Sequence, residues 1–274
     1  MLSTVMLSFP NCKINIGLYI TARRSDGYHN LETVFYPVAL TDVLEIVPAD
    51  VADIHLHGKG IADNKHDNLI WKAYERMRSR FPAISTLDIH LLKNIPMGAG
   101  MGGGSADGAF MLRMLNDYYK LGLEKQELAA IALELGSDCP FFIYNTPQFA
   151  TGRGDVMQPA TVDLSAYSIQ LICPDVHIST AAAFKMITPK AAPFDLRRLQ
   201  EIPIEQWVEY MSNDFEEPVF VQHPALAAIK QQLYNQGAVY ASMSGSGSTL
   251  YGIFEKGKRA EITSDLAFES HYIE

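Results

Sequence analysis

Cysteine is scarce in this chain, and the three that occur, Cys12, Cys139 and Cys173, stand far apart. An odd, scattered set gives neither a disulfide framework nor a metal-ligand spacing, so they read as reduced, packed thiols of a cytoplasmic protein. The eight histidines show no paired zinc-type spacing. Positive charge is also short. There are 22 Lys and Arg against 31 Asp and Glu, a net charge of −9. A chain of that sign lacks the basic footprint that nucleic acid or an anionic membrane requires, so neither is expected as a partner. A small anion remains open to it, since that needs only a local nest of donors. No apolar run approaches the ~18 residues of a membrane span. No Lys or Arg precedes Lys13, so a secretory signal, with its basic start, is not expected. Internal repeats and low-complexity tracts are absent too.

What is present is an ordinary globular balance. The 274 residues are 48% hydrophobic and 19% charged, enough for one large domain or two modest ones. Cys12, Ile14, Ile16, Leu18 and Ile20 alternate with Lys13, Asn15, Gly17 and Tyr19, a strand of period two with Lys13 and Asn15 on one polar face. A turn over 23–27 leads to apolar stretches at 31–40 and 43–47. Asp67 or Asn68 caps a helix whose shared face is Ile70, Ala73, Tyr74 and Met77. Leu87, Ile89 and Leu91 suggest another strand. Leu128, Ile131, Ala132 and Leu135 share a helix face, with Gly136 as its stop. The turn-rich segment 145–159 reads as a boundary. Beyond it, strands are expected near 169–173 and 249–254, and helices near 206–211 and 224–235. Strands and helices do not alternate regularly, which favours an α+β fold.

Between the strand at 87–91 and a helix carrying Met111, Leu112 and Leu115 lies Pro96-Met97-Gly98-Ala99-Gly100-Met101-Gly102-Gly103-Gly104-Ser105. Five of the seven residues from Gly98 to Gly104 are glycine. Without Cβ atoms such a loop lets backbone N–H groups crowd a phosphate, and the following helix adds its N-terminal partial charge. The plain alternative is a mobile surface turn, but that does not call for five glycines between a strand and a helix. No Gly-Lys-Ser/Thr follows, so it is not a Walker A loop. No regular parallel βαβ surrounds it, so it is not a dinucleotide fingerprint either.

The spacing instead resembles the second motif of the GHMP kinases, and the resemblance extends over residues 10–254. Pro10-Asn11-Cys12-Lys13-Ile14-Asn15 resembles their first motif, with Cys12 in place of Ala or one residue inserted. Met243-Ser244-Gly245-Ser246-Gly247-Ser248 is similar to the third motif. Arg24-Ser25-Asp26-Gly27-Tyr28-His29 and Ser137-Asp138-Cys139-Pro140-Phe141-Phe142 resemble segments of the branch that acts on diphosphocytidyl methylerythritol. The glycine loop departs from that pattern at Met101, Ala106 and Gly108. Loss of a hydroxyl at Ala106 leaves phosphate contact to the backbone and Ser105, and leaves the metal ligand unassigned. Arg153-Gly154-Asp155 spells an adhesion tripeptide, but it falls in the family's Gly-Arg-Gly-acidic segment and reads as a turn.

The resemblance implies a two-domain α+β kinase with a left-handed βαβ unit in its N-terminal domain, ATP as cosubstrate, and Mg2+ with it. An N-terminal domain over 1–155 would bind ATP and a C-terminal domain over 156–274 would close the substrate cleft. Asp138 would take the acceptor's proton and Lys13 would keep that carboxylate ionised and steady the transferring phosphate. Pro96, Gly98, Gly100, Gly102, Gly103, Gly104 and Ser105 would hold the nucleotide, with Asn68 and Lys93 near the adenine and phosphates. Tyr28, His29 and Phe184 would form a cytidine site, since a pyrimidine stacks on aromatic faces. Asn15 and Thr180 would touch the polar part of a small-molecule substrate carrying a cytidine diphosphate group. Gly245 and Ser246, with Gly247, would buttress the glycine loop or touch that diphosphate. Plainer roles exist for each: an exposed strand lysine, a helix cap at Asp138, a solvent-facing turn histidine, a tight loop before Thr249. Rival readings are a mevalonate or homoserine kinase, whose substrates have no base to stack, and a nucleotide sensor without catalysis, which would not need both Lys13 and Asp138.

Overall fold

The computed structural model describes residues 5–59 and 65–274. The chain forms two compact units that interleave along the sequence. One contains 1–12, 39–97 and 102–146; the other contains 13–38, 98–101 and 147–274. Residue 155 lies inside the second unit, which residues 13–38 join through the pairing of the strand at 29–41 with the strand at 148–151.

In the first unit, β1 (Met6–Ser8), β4 (Val43–Pro48), β6 (Leu87–Lys93) and β5 (Asp53–Gly58) form a sheet in the order β1-β4-β6-β5. β5 and β6 are parallel, with His55 beside His90, and α1 (Leu69–Arg80) connects them. This is the strand–helix–strand unit that the resemblance implies. Period-two alternation turns Leu44, Ile46, Leu87, Ile89 and Leu91 inward. α1 buries Ile70, Ala73, Tyr74 and Met77, the face expected from its spacing. α2 (Gly103–Tyr118), α3 (Lys125–Leu133) and α4 (Cys139–Tyr144) complete this unit. A Cβ on Gly108 would come within 3.0 Å of Leu69 Cβ and 3.2 Å of its carbonyl. The departure at Gly108 therefore lets α2 lie close against the start of α1.

In the second unit, β2 (Asn11–Arg23), β3 (His29–Thr41), β7 (Gln148–Thr151) and β8 (Val156–Pro159) form one sheet. The segment expected as a boundary thus contains a hairpin, and its turn is the Arg-Gly-Asp stretch: Arg153 N–H donates to Asp155 Oδ1 at 2.8 Å. The other sheet runs β10-β11-β9-β12, from β9 (Tyr167–Pro174), β10 (Tyr240–Met243), β11 (Leu250–Glu255) and β12 (Phe268–Ile273). The unit's helices are α5 (Thr180–Lys185), α6 (Trp207–Tyr210), α7 (Glu216–Gln222) and α8 (Pro224–Asn235). Val219 of α7 and Leu226, Ile229 and Leu233 of α8 pack with Ile172, Ala241 and Phe254 of this sheet into one apolar core. Among the described residues, no helix is long and apolar enough to cross a membrane.

Candidate active site

The glycine loop ends in α2 as the spacing predicts, and its glycines are there for different reasons. Gly102 is the N-cap residue at φ 69°, ψ 18°, and makes no side-chain capping bond. The first N–H groups of the 16-residue α2 are therefore not covered by a cap, which is the arrangement of an anion-binding helix start. A Cβ on Gly103 would press on Ile95 Cγ2 at 2.9 Å and Lys93 Nζ at 3.1 Å, so that glycine serves packing. A Cβ on Gly104 would meet nothing within 4 Å among the described residues. Gly104 therefore opens onto free space. Ala106 is wholly buried, so that position faces the core rather than a phosphate.

Asp138 stands at the N-cap position of α4 but makes no capping bond there. The plain reading of this residue as a helix cap therefore fails, and its carboxylate is left for other work. Ser137 Oγ approaches Asp138 Oδ1 at 3.4 Å. The next residue, Cys139, is hydrogen-bonded to Ser105 in the first turn of α2. This brings Asp138 to the helix start that follows the glycine loop. Burial pushes the Cys139 thiol up to about 12, so it stays protonated and unreactive.

Lys93 is 4% exposed and its ammonium is held by two buried carboxylates, Asp42 and, at 2.8 Å, Asp107. Its charge is thus paired within the fold at the residue that the resemblance expects near the nucleotide. Asp42 Oδ1 also accepts the N–H groups of Asn94 at 2.6 Å and Ile95 at 2.9 Å. Asp107 has less support: its Oδ1 is buried without a hydrogen bond among the described residues. Burial first, and then the charge of Asp42, push the Asp107 carboxyl up to about 8 against the pull of Lys93. The triad ties the start of α2 to the end of β6 directly before Pro96. Asp42 and Asp107 were not anticipated. A buried acid five residues into a glycine-capped helix was the available signal. Asn68 caps α1, accepting the Ile70 N–H at 2.8 Å.

Lys13 and Asn15 do share a face of β2, but both are buried, at 4% and 3% exposure. Lys13 Nζ donates to Asn15 Oδ1 at 2.6 Å and to the Gly100 carbonyl at 2.7 Å. Asn15 Nδ2 donates to Thr33 Oγ1 at 3.0 Å. The Asn15 amide, expected on the substrate, is thus used to position Lys13. The third motif packs backbone to backbone on this loop. A Cβ on Gly100 would overlap the Ser244 carbonyl, and one on Gly245 would lie 3.1 Å from the Gly100 carbonyl. Ser244 Oγ donates to that carbonyl at 2.9 Å. Ser244 and Gly245 of this motif thus pack directly on Gly100. Asn213, which no sequence signal marked, holds it by donating to the carbonyls of Met243 at 2.7 Å and Gly245 at 2.8 Å. A Cβ on Gly98 would lie 3.3 Å from His177 Nδ1.

The aromatic candidates come together in part. His29 and Phe184 stack with centroids 5.0 Å apart and planes 13° from parallel, and Phe215 meets Phe184 edge-on. His29 and Phe184 cover each other, so there is no open slot between them. Tyr28 is exposed, with the Arg153 guanidinium 4.1 Å from its ring centre. Thr180 Oγ1 and Ser246 Oγ are 3.0 Å apart, which joins two of the residues expected on the substrate.

Comparison with known proteins agrees with this geometry. The GHMP kinases N terminal domain family matches residues 68–146, and the GHMP kinases C terminal family matches 196–270. A 4-diphosphocytidyl-2-C-methyl-D-erythritol kinase of Bacteroides thetaiotaomicron is 50% identical over 91% of this chain and 92% of its own length. One from Parabacteroides distasonis is 49% identical over 92% of each. A crystal structure of 4-(cytidine 5'-diphospho)-2C-methyl-D-erythritol kinase superposes with a TM-score of 0.73, at 29% identity over 90% of each chain. A homoserine kinase from Cytophaga hutchinsonii reaches 0.72 at 13% identity, covering 100% of this chain and 96% of its own, a likeness of fold alone.

Proposed function

The chain belongs to the 4-diphosphocytidyl-2-C-methyl-D-erythritol kinase family of the GHMP kinases, and from that premise we propose that it transfers the γ-phosphoryl group of ATP to the 2-hydroxyl of 4-diphosphocytidyl-2-C-methyl-D-erythritol, in non-mevalonate isoprenoid precursor synthesis. The observation that carries the proposal is Asp138. It is a carboxylate at a helix start that does not cap the helix, linked through Cys139 to Ser105 at the head of α2.

In this reading the N–H groups at the start of α2 hold the nucleotide phosphates. The acceptor oxygen forms a bond to the γ-phosphorus as the bond to the β,γ-bridging oxygen breaks, and ADP leaves. The acceptor's proton passes to Asp138. Lys13, fixed by Asn15 and Gly100, supplies positive charge to the transferring group. Phosphoryl transfer depends chiefly on such alignment and charge stabilisation. Magnesium, if bound with ATP, would supply positive charge to the phosphates. The Ser105 hydroxyl and the Asp138 carboxylate are hard oxygen donors that suit it. Asp107 is turned to Lys93 and is not offered.

The test is an acceptor comparison in which ADP release is followed with the cytidyl substrate, mevalonate and homoserine. The proposal expects turnover with the first alone. Turnover with mevalonate or homoserine and none with the cytidyl compound would replace it.

A further inference from the structure

Alternation along β5 places Asp53, His55 and His57 on one face, with Ile54 and Leu56 on the other. The parallel register sets His55 beside His90 and Asp53 beside Asp88. On the far side of β6, β4 sets Glu45 beside His90. A sheet face that shows no zinc spacing in the sequence thus gathers three imidazoles and several carboxylates. His55 Nε2 lies 2.8 Å from Asp88 Oδ1 and His90 Nε2 lies 3.2 Å from Asp88 Oδ2. The His55 and His90 rings stack with centroids 4.7 Å apart. One coordinating atom from each of the three residues lies within 4.8 Å of the other two. Asp88 Oδ1 is buried and accepts no hydrogen bond among the described residues despite its nearness to His55. Asp88 thus lies between the two imidazoles, as an ion-pair partner of His55 and a hydrogen-bond partner of His90, and a cation that takes the place of the bridging protons would meet the same three side chains.

We propose that His55, Asp88 and His90 bind a borderline divalent transition-metal ion, zinc foremost, and that the ion staples the edge strand β5 to β6. Two imidazoles and a carboxylate suit zinc, copper or nickel, whereas magnesium and calcium take all-oxygen sets. Zinc bonds of ~2.0–2.2 Å in a tetrahedral arrangement require only small side-chain movements from the separations present. His57, whose ring is parallel to that of His90 at 6.5 Å, is the nearest further imidazole. The site is distinct from the metal carried by ATP, both in donors and in consequence, because its effect is on the sheet.

The test uses the whole chain, freed of metal by chelation and returned to magnesium-free buffer. Zinc is titrated by calorimetry, and the melting temperature is recorded with and without zinc. One equivalent should bind and raise the melting temperature, as a ligand selective for the native state does. His90→Ala and His55→Ala should each weaken binding by at least ~10-fold, the scale of losing a metal-site residue, and abolish the thermal shift. His271→Ala, on β12, should leave both unchanged. His55 is exposed, so its variant stays folded even if the His90 variant does not. Absence of saturable zinc binding to the native chain, or binding that the folded His55→Ala chain retains in full, would overturn the proposal.

Discussion

The head of α2 and the aromatic cluster around Phe184, the two regions proposed to recognise phosphate and pyrimidine, are prepared differently. At the head of α2 the donors are backbone N–H groups, fixed once the helix forms and left uncovered by Gly102. Around Phe184 the recognising groups are side chains, and His29 already lies on the ring. In the proposed reading a phosphate would meet a finished surface, while a pyrimidine would have to displace the His29–Phe184 contact. Backbone recognition leaves a mark in sequence because only glycine permits it. Side-chain recognition leaves three ordinary aromatic residues 156 positions apart at their extremes, from Tyr28 to Phe184.

The largest expected effect separates chemistry from both regions. Asp138→Asn should lower turnover by ~100-fold or more, the usual scale for a general base, with ATP affinity and melting temperature retained. Near-native turnover in steady-state assays would remove Asp138 from that role. Next, Gly104→Val should abolish ATP binding in a calorimeter while the chain stays folded, because its Cβ enters open space. Gly100→Val should instead fail to fold, since its Cβ would overlap the Ser244 carbonyl. If both variants behave alike, the division of the loop into ligand-facing and packed glycines is wrong.

The cytidine side should respond more mildly. Phe184→Ala and Tyr28→Ala should each weaken the cytidyl substrate by about 1–3 kcal/mol, the range for a base–aromatic stack, without altering ATP affinity. An equal loss for ATP would merge the two regions into one. The smallest effect concerns the triad behind α2. The folded chain binds the Asp107 proton more tightly than the unfolded chain does, since its carboxyl is pushed up to about 8. The stability linked to that proton is complete below the ordinary carboxylate range and is lost as pH rises through about 8. Asp107→Asn should cost about 1 kcal/mol at neutral pH and flatten that decline. Melting temperatures from pH 5 to 9 that fall as steeply in the variant would show that Asp107 is not its source.

Much of this was legible from residues alone. Period-two alternation located β2 and β6, and helical spacing located α1 and α8, because each has one apolar face against a core. The strand–glycine–helix order located the head of α2. Other features were hidden for physical reasons. β7 and β8 are short, and their turn residues dominate the segment around Arg153. Lys93 reads like any strand lysine until Asp42 and Asp107 are brought to it by the fold. Asn15 was placed on the substrate by resemblance alone, and what alternation could not show is that its neighbourhood is buried and its amide oxygen accepts from Lys13. The histidines at 55 and 90 are 35 residues apart, and only the parallel register places them together.

The account's central claim is that the cytidyl group, remote from the transferred phosphate, is required for turnover. Binding energy from such a remote group can position the reacting hydroxyl, so losing it lowers turnover as well as affinity. The direct measurement compares phosphorylation of 4-diphosphocytidyl-2-C-methyl-D-erythritol with that of methylerythritol phosphate lacking the cytidylyl moiety, with CMP as inhibitor. The account predicts that the shortened alcohol is a very poor substrate and that CMP competes with the cytidyl substrate but not with ATP. Equal turnover of the two alcohols, or competition of CMP with ATP alone, would contradict it.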